Sequence, residues 1–187
     1  MRLLLLAALA GAIHVPHGYC ATTYASGLEH PTALAFGPDG RLYVSQDTGA
    51  VVSVTRGTTR PRSFRRGLTV PLGLLWRGRT LYVAESGRVE AFGLRGGRRT
   101  VLSGLPFKRH QQDTIVAGPD GRLYLGSGST CDACVERNAR SAAILSFNAD
   151  GSDLQPDRRD NARPGHSHPA GHGGRLTVRR LVRGCGT

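Results

Sequence analysis

The sequence predicts an all-β fold made of repeated small sheets, and three observations support this prediction. Leu-Tyr pairs recur at residues 42–43, 81–82 and 123–124, each within a similar apolar segment. The chain of 187 residues contains 26 glycines and 10 prolines, which favour many tight turns over long helices. After the first twelve residues, no segment has the alanine-, leucine- and glutamate-rich periodicity that indicates a helix.

Three segments align as repeats with a period of about 40 residues. They are Gly27–Val54, Gly67–Phe92 and Gly104–Ser129. Each begins with a short apolar strand, turns, continues in an alternating strand, turns again at a glycine and ends in a third strand. An arginine-rich outer strand closes the first two repeats, at 60–66 and 98–102. The predicted strands are 33–36, 42–45 and 51–54, then 73–76, 81–84 and 89–92, then 114–117, 123–126 and 143–147.

The first turn of each repeat has a recognisable chemistry. Pro-Asp-Gly occurs at 38–40 and 119–121, and Arg-Gly-Arg at 77–79 replaces it in the second repeat. Proline presets φ and glycine accepts a positive φ, so we interpret Asp39 and Asp120 as turn residues rather than catalytic acids. The recurring aromatic residues are expected to pack in the core: Phe36, Tyr43, Trp76, Tyr82 and Tyr124.

Four-stranded sheets that repeat at this spacing are typical of β-propeller blades. We therefore predict a partial propeller over 18–151, with blades near 27–66, 67–103 and 104–151. A β-sandwich with accidental internal similarity is the alternative. Three blades do not close a propeller, which takes at least four.

The two ends of the chain differ from the repeats. Residues 1–12, MRLLLLAALAGA, predict a signal peptide cleaved after Ala10 or Ala12, and hence a periplasmic or secreted protein without a membrane span. Residues 152–187 lack aromatics and are rich in arginine, glycine and proline, so we expect a disordered or out-of-frame tail. Its histidines, His166, His168 and His172, have no scaffold that would favour a metal site.

The net charge of +12 comes almost entirely from arginine. These arginines are spread over turns and strand ends and are not interleaved with aromatic residues on one face. We therefore expect no nucleic-acid partner, and the oligomeric state stays open.

The only CxxC motif is formed by Cys131 and Cys134. Haem attachment requires a histidine after the second cysteine, but Val135 occupies that position. A zinc site would need a second pair, and Cys20 and Cys185 are far apart in sequence. In an exported protein a short-loop disulfide is the preferred interpretation; redox catalysis lacks its usual βαβ context.

These motifs together resemble the PQQ-dependent soluble sugar dehydrogenases, in particular the sorbosone and glucose dehydrogenase-like six-bladed propellers. The first repeat supplies HPTALAFGPDGRLYVSQDTGAVVSV, and the second supplies PLGLLW and TLYVAESGRV. The third has His110-Gln111-Gln112-Asp113 before GPDGRLY, then GSGSTCDAC and an ILSFNADG strand. The resemblance covers residues 18–154, about half of such a propeller.

The resemblance implies that His110 is the general base in the oxidation of an aldose or sosone, with Asp113 as a candidate orienting partner. In the family an aspartate that supports this histidine follows the third-blade strand, where Ser129 stands here. PQQ and calcium are the family's cofactors, but the residues that bind them lie in later blades that this chain lacks. Cofactor-binding residues therefore remain unknown, no metal ligand is assigned, and activity of the chain by itself stays open. The alternatives are a non-enzymatic NHL-like binding propeller and a gluconolactonase-like hydrolase.

Overall fold

The computed structural model describes residues 13–157 and 179–183, which contain strands and turns but no helix. The predicted signal peptide and most of the predicted tail lie outside these residues. The described strands of the first blade are β2 (Pro31–Phe36), β3 (Leu42–Gln46), β4 (Ala50–Val54) and β5 (Arg62–Arg66). Those of the second are β6 (Gly73–Arg77), β7 (Thr80–Glu85), β8 (Arg88–Gly93) and β9 (Gly96–Leu102). Those of the third are β10 (Gln112–Ala117), β11 (Leu123–Ser127), β12 (Ala143–Phe147) and β13 (Gln155–Asp157).

Each set of four strands forms an antiparallel sheet in which neighbours in sequence are neighbours in space. This meander is the unit of a propeller blade, so the prediction of an all-β partial propeller is confirmed. Two further strands, β1 (Tyr19–Thr23) and β14 (Arg179–Arg183), pair in a separate two-stranded sheet.

The third blade extends further than the sequence predicted. Its fourth strand, β13, lies beyond residue 151 and pairs with β12 through Ile144, Leu145 and Ser146. β14 also falls in the segment that was expected to be disordered, with Val182 opposite Cys20. An edge strand is held by backbone hydrogen bonds, so neither strand needs the apolar alternation on which the sequence prediction depended.

One hydrophobic core packs the first blade against Tyr24 and Leu28, and two more lie between adjacent blades. One core joins the first and second blades through Tyr43, Val51 and Phe92. The other joins the second and third blades through Val89 and Phe147, with further packed side chains from both sheets. The strands β3 and β7 are buried on both faces, which explains their continuous apolar composition.

The Pro-Asp-Gly turns behave as predicted. Asp39 Oδ1 accepts a hydrogen bond from the backbone N–H of Arg41 at 3.2 Å, and Asp120 Oδ1 accepts the equivalent bond from Arg122 at 3.1 Å. The second blade lacks this aspartate, and there the hydroxyl of Tyr82 donates instead to the carbonyl of Ala149 in the third blade, at 3.1 Å.

One aromatic prediction was wrong. Tyr43 and Tyr82 are buried as expected, but Phe36 is 61% exposed. Phe36 ends β2, and its ring lies edge to face with that of Tyr24 at a centroid distance of 6.3 Å.

Several arginines connect one blade to the next. Arg65 of β5 donates to the carbonyl of Gly93 at 2.8 Å, and Arg77 of β6 donates to that of Gly121 at 2.9 Å. Arg99 of β9 donates to the carbonyls of Asp150 and Ala149 at 3.0 and 3.1 Å. Part of the basic composition therefore satisfies backbone carbonyls in the turns of neighbouring blades.

Candidate functional site

His110 lies directly before β10, the innermost strand of the third blade. Its backbone N–H donates to the carbonyl of Ser129 at 3.1 Å, which joins the loop before β10 to the loop after β11. The imidazole is 36% exposed and is therefore accessible from solvent. The innermost strands pack closely: a Cβ on Gly73 of β6 would lie 1.8 Å from the carbonyl oxygen of Asp113.

The imidazole of His110 is paired with Asp132. Its Nε2 lies 3.0 Å from Asp132 Oδ1, and Arg109 Nε lies 3.0 Å from Asp132 Oδ2. Although desolvation raises the pKa of Asp132, hydrogen bonds from His110 and Arg109 lower it, and the net effect places it below its ordinary value. An ionised carboxylate can only accept, so Nε2 of His110 is the donor in this pair.

The predicted orienting partner, Asp113, does not fill this role in the structure. Its Oδ1 accepts the backbone N–H of Thr114 at 2.5 Å, and the residue is exposed. The ring of His110 lies beside the loop after β11, where its Nε2 meets Asp132, whereas Asp113 belongs to the pleat of β10. The aspartate beside the histidine therefore comes from the CxxC segment.

Cys131 and Cys134 are joined in a disulfide with a Cα–Cα distance of 6.0 Å. Together with Glu136 they form the one group among the described residues whose possible metal-ligand atoms lie within 4.8 Å of one another. Sulfur atoms in a disulfide cannot act as thiolate ligands, and both carboxylate oxygens of Glu136 accept hydrogen bonds from Thr130. In this oxidised form the group is a closed loop rather than a metal site.

Gln112 fixes the segment that precedes it. This fully buried side chain donates to the carbonyl of Pro106 at 2.6 Å and accepts the backbone N–H of Gly87 at 2.8 Å. The next residue toward His110, Gln111, accepts the hydroxyl of Ser86 at 2.6 Å. The second blade thus holds the His110 loop at two adjacent positions. Sequence reasoning missed Asp132, Gln112 and Ser86; the only available signal was that Asp132 lies three residues after Ser129 inside the CxxC motif.

A second histidine occupies a similar place in the first blade. His30 precedes β2, and its Nδ1 lies 3.3 Å from Asp47 Oδ1 in the turn after β3. Both residues are well exposed, and the His30 backbone has a φ of 41°. The His110 arrangement differs because its loop is longer and closed by a disulfide.

The cofactors implied by the resemblance can be compared with the groups present. Calcium prefers six to eight oxygen ligands, and the described residues contain no cluster of three or more carboxylates. Arg109, the residue before His110, is paired with Asp132. Among the described residues, no calcium ligand and no contact to a quinone is therefore assigned. They do supply a solvent-accessible histidine with an orienting carboxylate.

None of the described segments forms a helix long and apolar enough to cross a membrane. The three blades and the histidine at their inner edge define the chain as part of a β-propeller. No protein-family model matches the sequence, and no curated protein matches it.

The structure is similar to the PQQ-bound form of an aldose sugar dehydrogenase from Streptomyces coelicolor. The two chains share 25% identity at a TM-score of 0.61, over 81% of this chain and 54% of the other. A protein from Thermus thermophilus described as an oxidoreductase of the glucose dehydrogenase type has 27% identity and a TM-score of 0.56, over 72% and 48% of the two chains. The resemblance to PQQ-dependent sugar dehydrogenase propellers is therefore confirmed, and the chain spans about half the length of these relatives.

Propellers of other kinds share the fold. A structure of a nidogen–laminin complex matches with 22% identity and a TM-score of 0.54, over 70% of this chain and 49% of the other. Such a likeness shows the architecture alone.

Proposed function

We propose that this chain is a propeller segment of a PQQ-dependent sugar dehydrogenase in which His110 accepts the proton of an aldose or sosone hydroxyl. The observation that supports this most directly is the His110–Asp132 pair, exposed beside an innermost strand of a propeller that is similar to a PQQ-bound aldose sugar dehydrogenase. The proposal includes export to the periplasm or the medium, on the basis of residues 1–12 and the disulfide.

The proton step follows from the hydrogen-bond pattern. With Nε2 donating to Asp132, the lone pair on Nδ1 is directed away from the carboxylate and can take the hydroxyl proton. The imidazolium that forms is stabilised by the Asp132 carboxylate. Loss of the proton from the hydroxyl oxygen and of a hydride from the carbon that bears it converts the alcohol to a carbonyl, and PQQ, when bound, would supply the hydride acceptor. Asp113, exposed at the start of β10, remains a candidate for contacting the sugar.

The proposal is tested by dye reduction with the purified chain, added PQQ and calcium, and a panel of aldoses. We expect sugar-dependent reduction that falls by about 10²- to 10⁴-fold in H110A, because removing a general base has an effect of this size. H30Q is the matched control, since it removes a histidine that precedes the innermost strand of another blade.

Absence of sugar-dependent reduction and of any change in quinone absorbance would contradict the enzymatic proposal. Saturable binding of a protein or glycan without turnover would favour the non-enzymatic binding propeller instead. Equal rates for the parent chain and H110A would remove His110 from the mechanism while leaving the class of reaction intact.

A further inference from the structure

The loop between β11 and β12 is an insertion that the other blades lack. In the first blade the equivalent connection is the turn 47–49, and in the second it is Ser86-Gly87. In the third blade the connection runs from Gly128 to Ala142 and contains the CxxC motif. A blade does not need such a segment to form its sheet, because short turns join the equivalent strands, β3 to β4 and β7 to β8, in the other two blades.

The insertion is tied to His110 at its base. Gly128 donates its backbone N–H to the carbonyl of Gln111 at 3.2 Å, and His110 donates to that of Ser129 at 3.1 Å. A Cβ on Gly128 would lie 2.6 Å from His110 Cβ, so the two backbones pass too closely for any side chain there. A change in the course of the loop after Gly128 is therefore transmitted directly to His110.

Internal bonds then give the loop one shape. The hydroxyl of Ser129 donates to the carbonyl of Cys131 at 2.6 Å, and the Glu136 carboxylate accepts from the Thr130 hydroxyl at 3.0 Å. The Cys131–Cys134 disulfide encloses Asp132, which is thereby placed beside His110 and Arg109.

Two constraints act on Asp132, the ion pair with His110 and the Cys131–Cys134 disulfide, and they differ in strength. Its side chain is 58% exposed, and ion pairs between exposed groups contribute little in water. The pair with His110 therefore cannot by itself keep a flexible loop in position. The disulfide is covalent and restricts the four residues that carry the carboxylate, so it is the dominant constraint.

We infer that Asp132 is the positioning residue of His110 and that the Cys131–Cys134 disulfide keeps it in place, so that reduction of this disulfide releases the histidine. This inference rests on the proposed function for its catalytic consequence but not for its structural one. Cys134 is exposed, which makes the bond accessible to an added dithiol. The dithiol is oxidised to its own disulfide, and the two electrons and two protons that it gives up convert the Cys131–Cys134 disulfide to two thiols.

The test measures the tautomer of His110 by nitrogen-15 NMR of the full chain, with H110Q used to assign its ring signals. In the oxidised chain we expect a single tautomer with the proton on Nε2. After reduction and alkylation of the thiols, and in D132N, we expect the mixture of tautomers of an unconstrained imidazole. R137Q is the control, because Arg137 is an exposed residue of the same loop; it should keep the single tautomer.

A second variant protects the test against unfolding. The C131A/C134A chain is measured with the backbone amide spectrum as a check that the blades are intact, and it should match the reduced chain. In an active preparation, kcat should fall by about tenfold or more in both, since misplacement of a catalytic group costs up to about a hundredfold. An unchanged Nε2 tautomer after reduction and in C131A/C134A, with an intact amide spectrum, would overturn the inference.

The two proposals fail separately. If no preparation reduces the dye but the tautomer still responds to reduction, the proposed enzymatic function is contradicted and the positioning by the disulfide is supported.

Discussion

The hydroxyl of Tyr43 donates a hydrogen bond to Asp39 Oδ2 over 2.9 Å, and this bond ties the second strand of the first blade to its Pro-Asp-Gly turn. The third blade repeats it between Tyr124 and Asp120 at 2.7 Å. A turn that is specified by local chemistry is thus also joined to a core side chain. The repeat identified in the sequence therefore includes a side-chain bond as well as a turn.

Burial and the Asp39 carboxylate together raise the pKa of Tyr43 to about 12. In D39N we expect this pKa to move toward the ordinary tyrosine value of about 10 but to remain above it, because burial, the larger cause, is unchanged. Ultraviolet difference spectroscopy during alkaline titration measures the change, and Y43F identifies the signal. Identical titration curves for D39N and the parent chain would contradict this assignment.

Arg65 joins the first two blades through two hydrogen bonds and a stacking contact, and lysine cannot make all three at once. Its guanidinium donates to the carbonyls of Phe64 and Gly93 and lies 4.0 Å from the centroid of the Phe64 ring. We expect R65K to lower the free energy of unfolding by about 1–2 kcal/mol, since both the two-carbonyl geometry and most of the stacking are lost. Urea denaturation measures this. R66K is the control, because Arg66 bonds only within its own blade, to Ser63.

Glu85 makes stability depend on pH. This side chain is 1% exposed, and burial raises its pKa above the ordinary 4.5 despite the Thr69 N–H and Arg88. The folded state therefore binds this proton more tightly than the unfolded state. The resulting stability is fully present below the unfolded pKa and is lost as the pH rises through the folded one.

E85Q removes this titration, so the free energy of unfolding should fall less between acidic and neutral pH than in the parent chain. Denaturation over a series of pH values tests the expectation, with E29Q as an exposed control. The expectation is contradicted if the free energy of unfolding of the parent chain rises from acidic to neutral pH and that of E85Q rises in parallel. The burial of Glu85 would then not determine how stability depends on pH.

Two buried glutamines permit a graded comparison. Gln112 bonds to Pro106 and Gly87 and also lies 3.3 Å from the Ser127 hydroxyl, whereas Gln46 of the first blade donates only to the carbonyl of Glu29, at 2.8 Å. Q112A leaves at least two backbone groups without a partner, and each costs about 1–3 kcal/mol.

We therefore expect Q112A to lower the free energy of unfolding more than Q46A, by about 1–3 kcal/mol. Hydrogen exchange at the Gly87 amide gives a local readout, since that amide loses its acceptor only in Q112A. If Q112A and Q46A lower the free energy of unfolding equally, the additional hydrogen bonds of Gln112 make no net contribution to stability.

The parts of the fold that could be predicted from sequence are those with local causes. The Pro-Asp-Gly turns at Asp39 and Asp120 depend on neighbouring residues, and the successive apolar residues of β3 and β7 report their burial on both faces. The strand β13 could not be predicted, because it is held at the edge of β12 by its backbone and carries no pattern of its own. Phe36 was assigned to the core because its position in the repeat is apolar; its exposure depends on which face another blade covers.

The sequence singled out His110 as a candidate but not the carboxylate that lies beside it. His110 was chosen because it precedes the GPDGRLY turn and the CxxC motif in the order seen in the family that the sequence resembles. Its carboxylate is brought to it by the closure of an inserted loop, and neither the length of a loop nor the presence of an aspartate reveals where the side chain will point. Asp113 is closer in sequence, but its carboxylate accepts the backbone N–H of Thr114, and the ring of His110 lies beside Asp132.

The inserted loop of the third blade has a consequence for how such a protein can evolve. Asp132 and its disulfide lie outside the sheets, and the cores between the blades include neither. Substitutions in the loop can therefore change the surroundings of His110 without removing a side chain from either of these cores. Selection for a new substrate or pH range would then act on a segment that is structurally separate from the one that determines whether the chain folds.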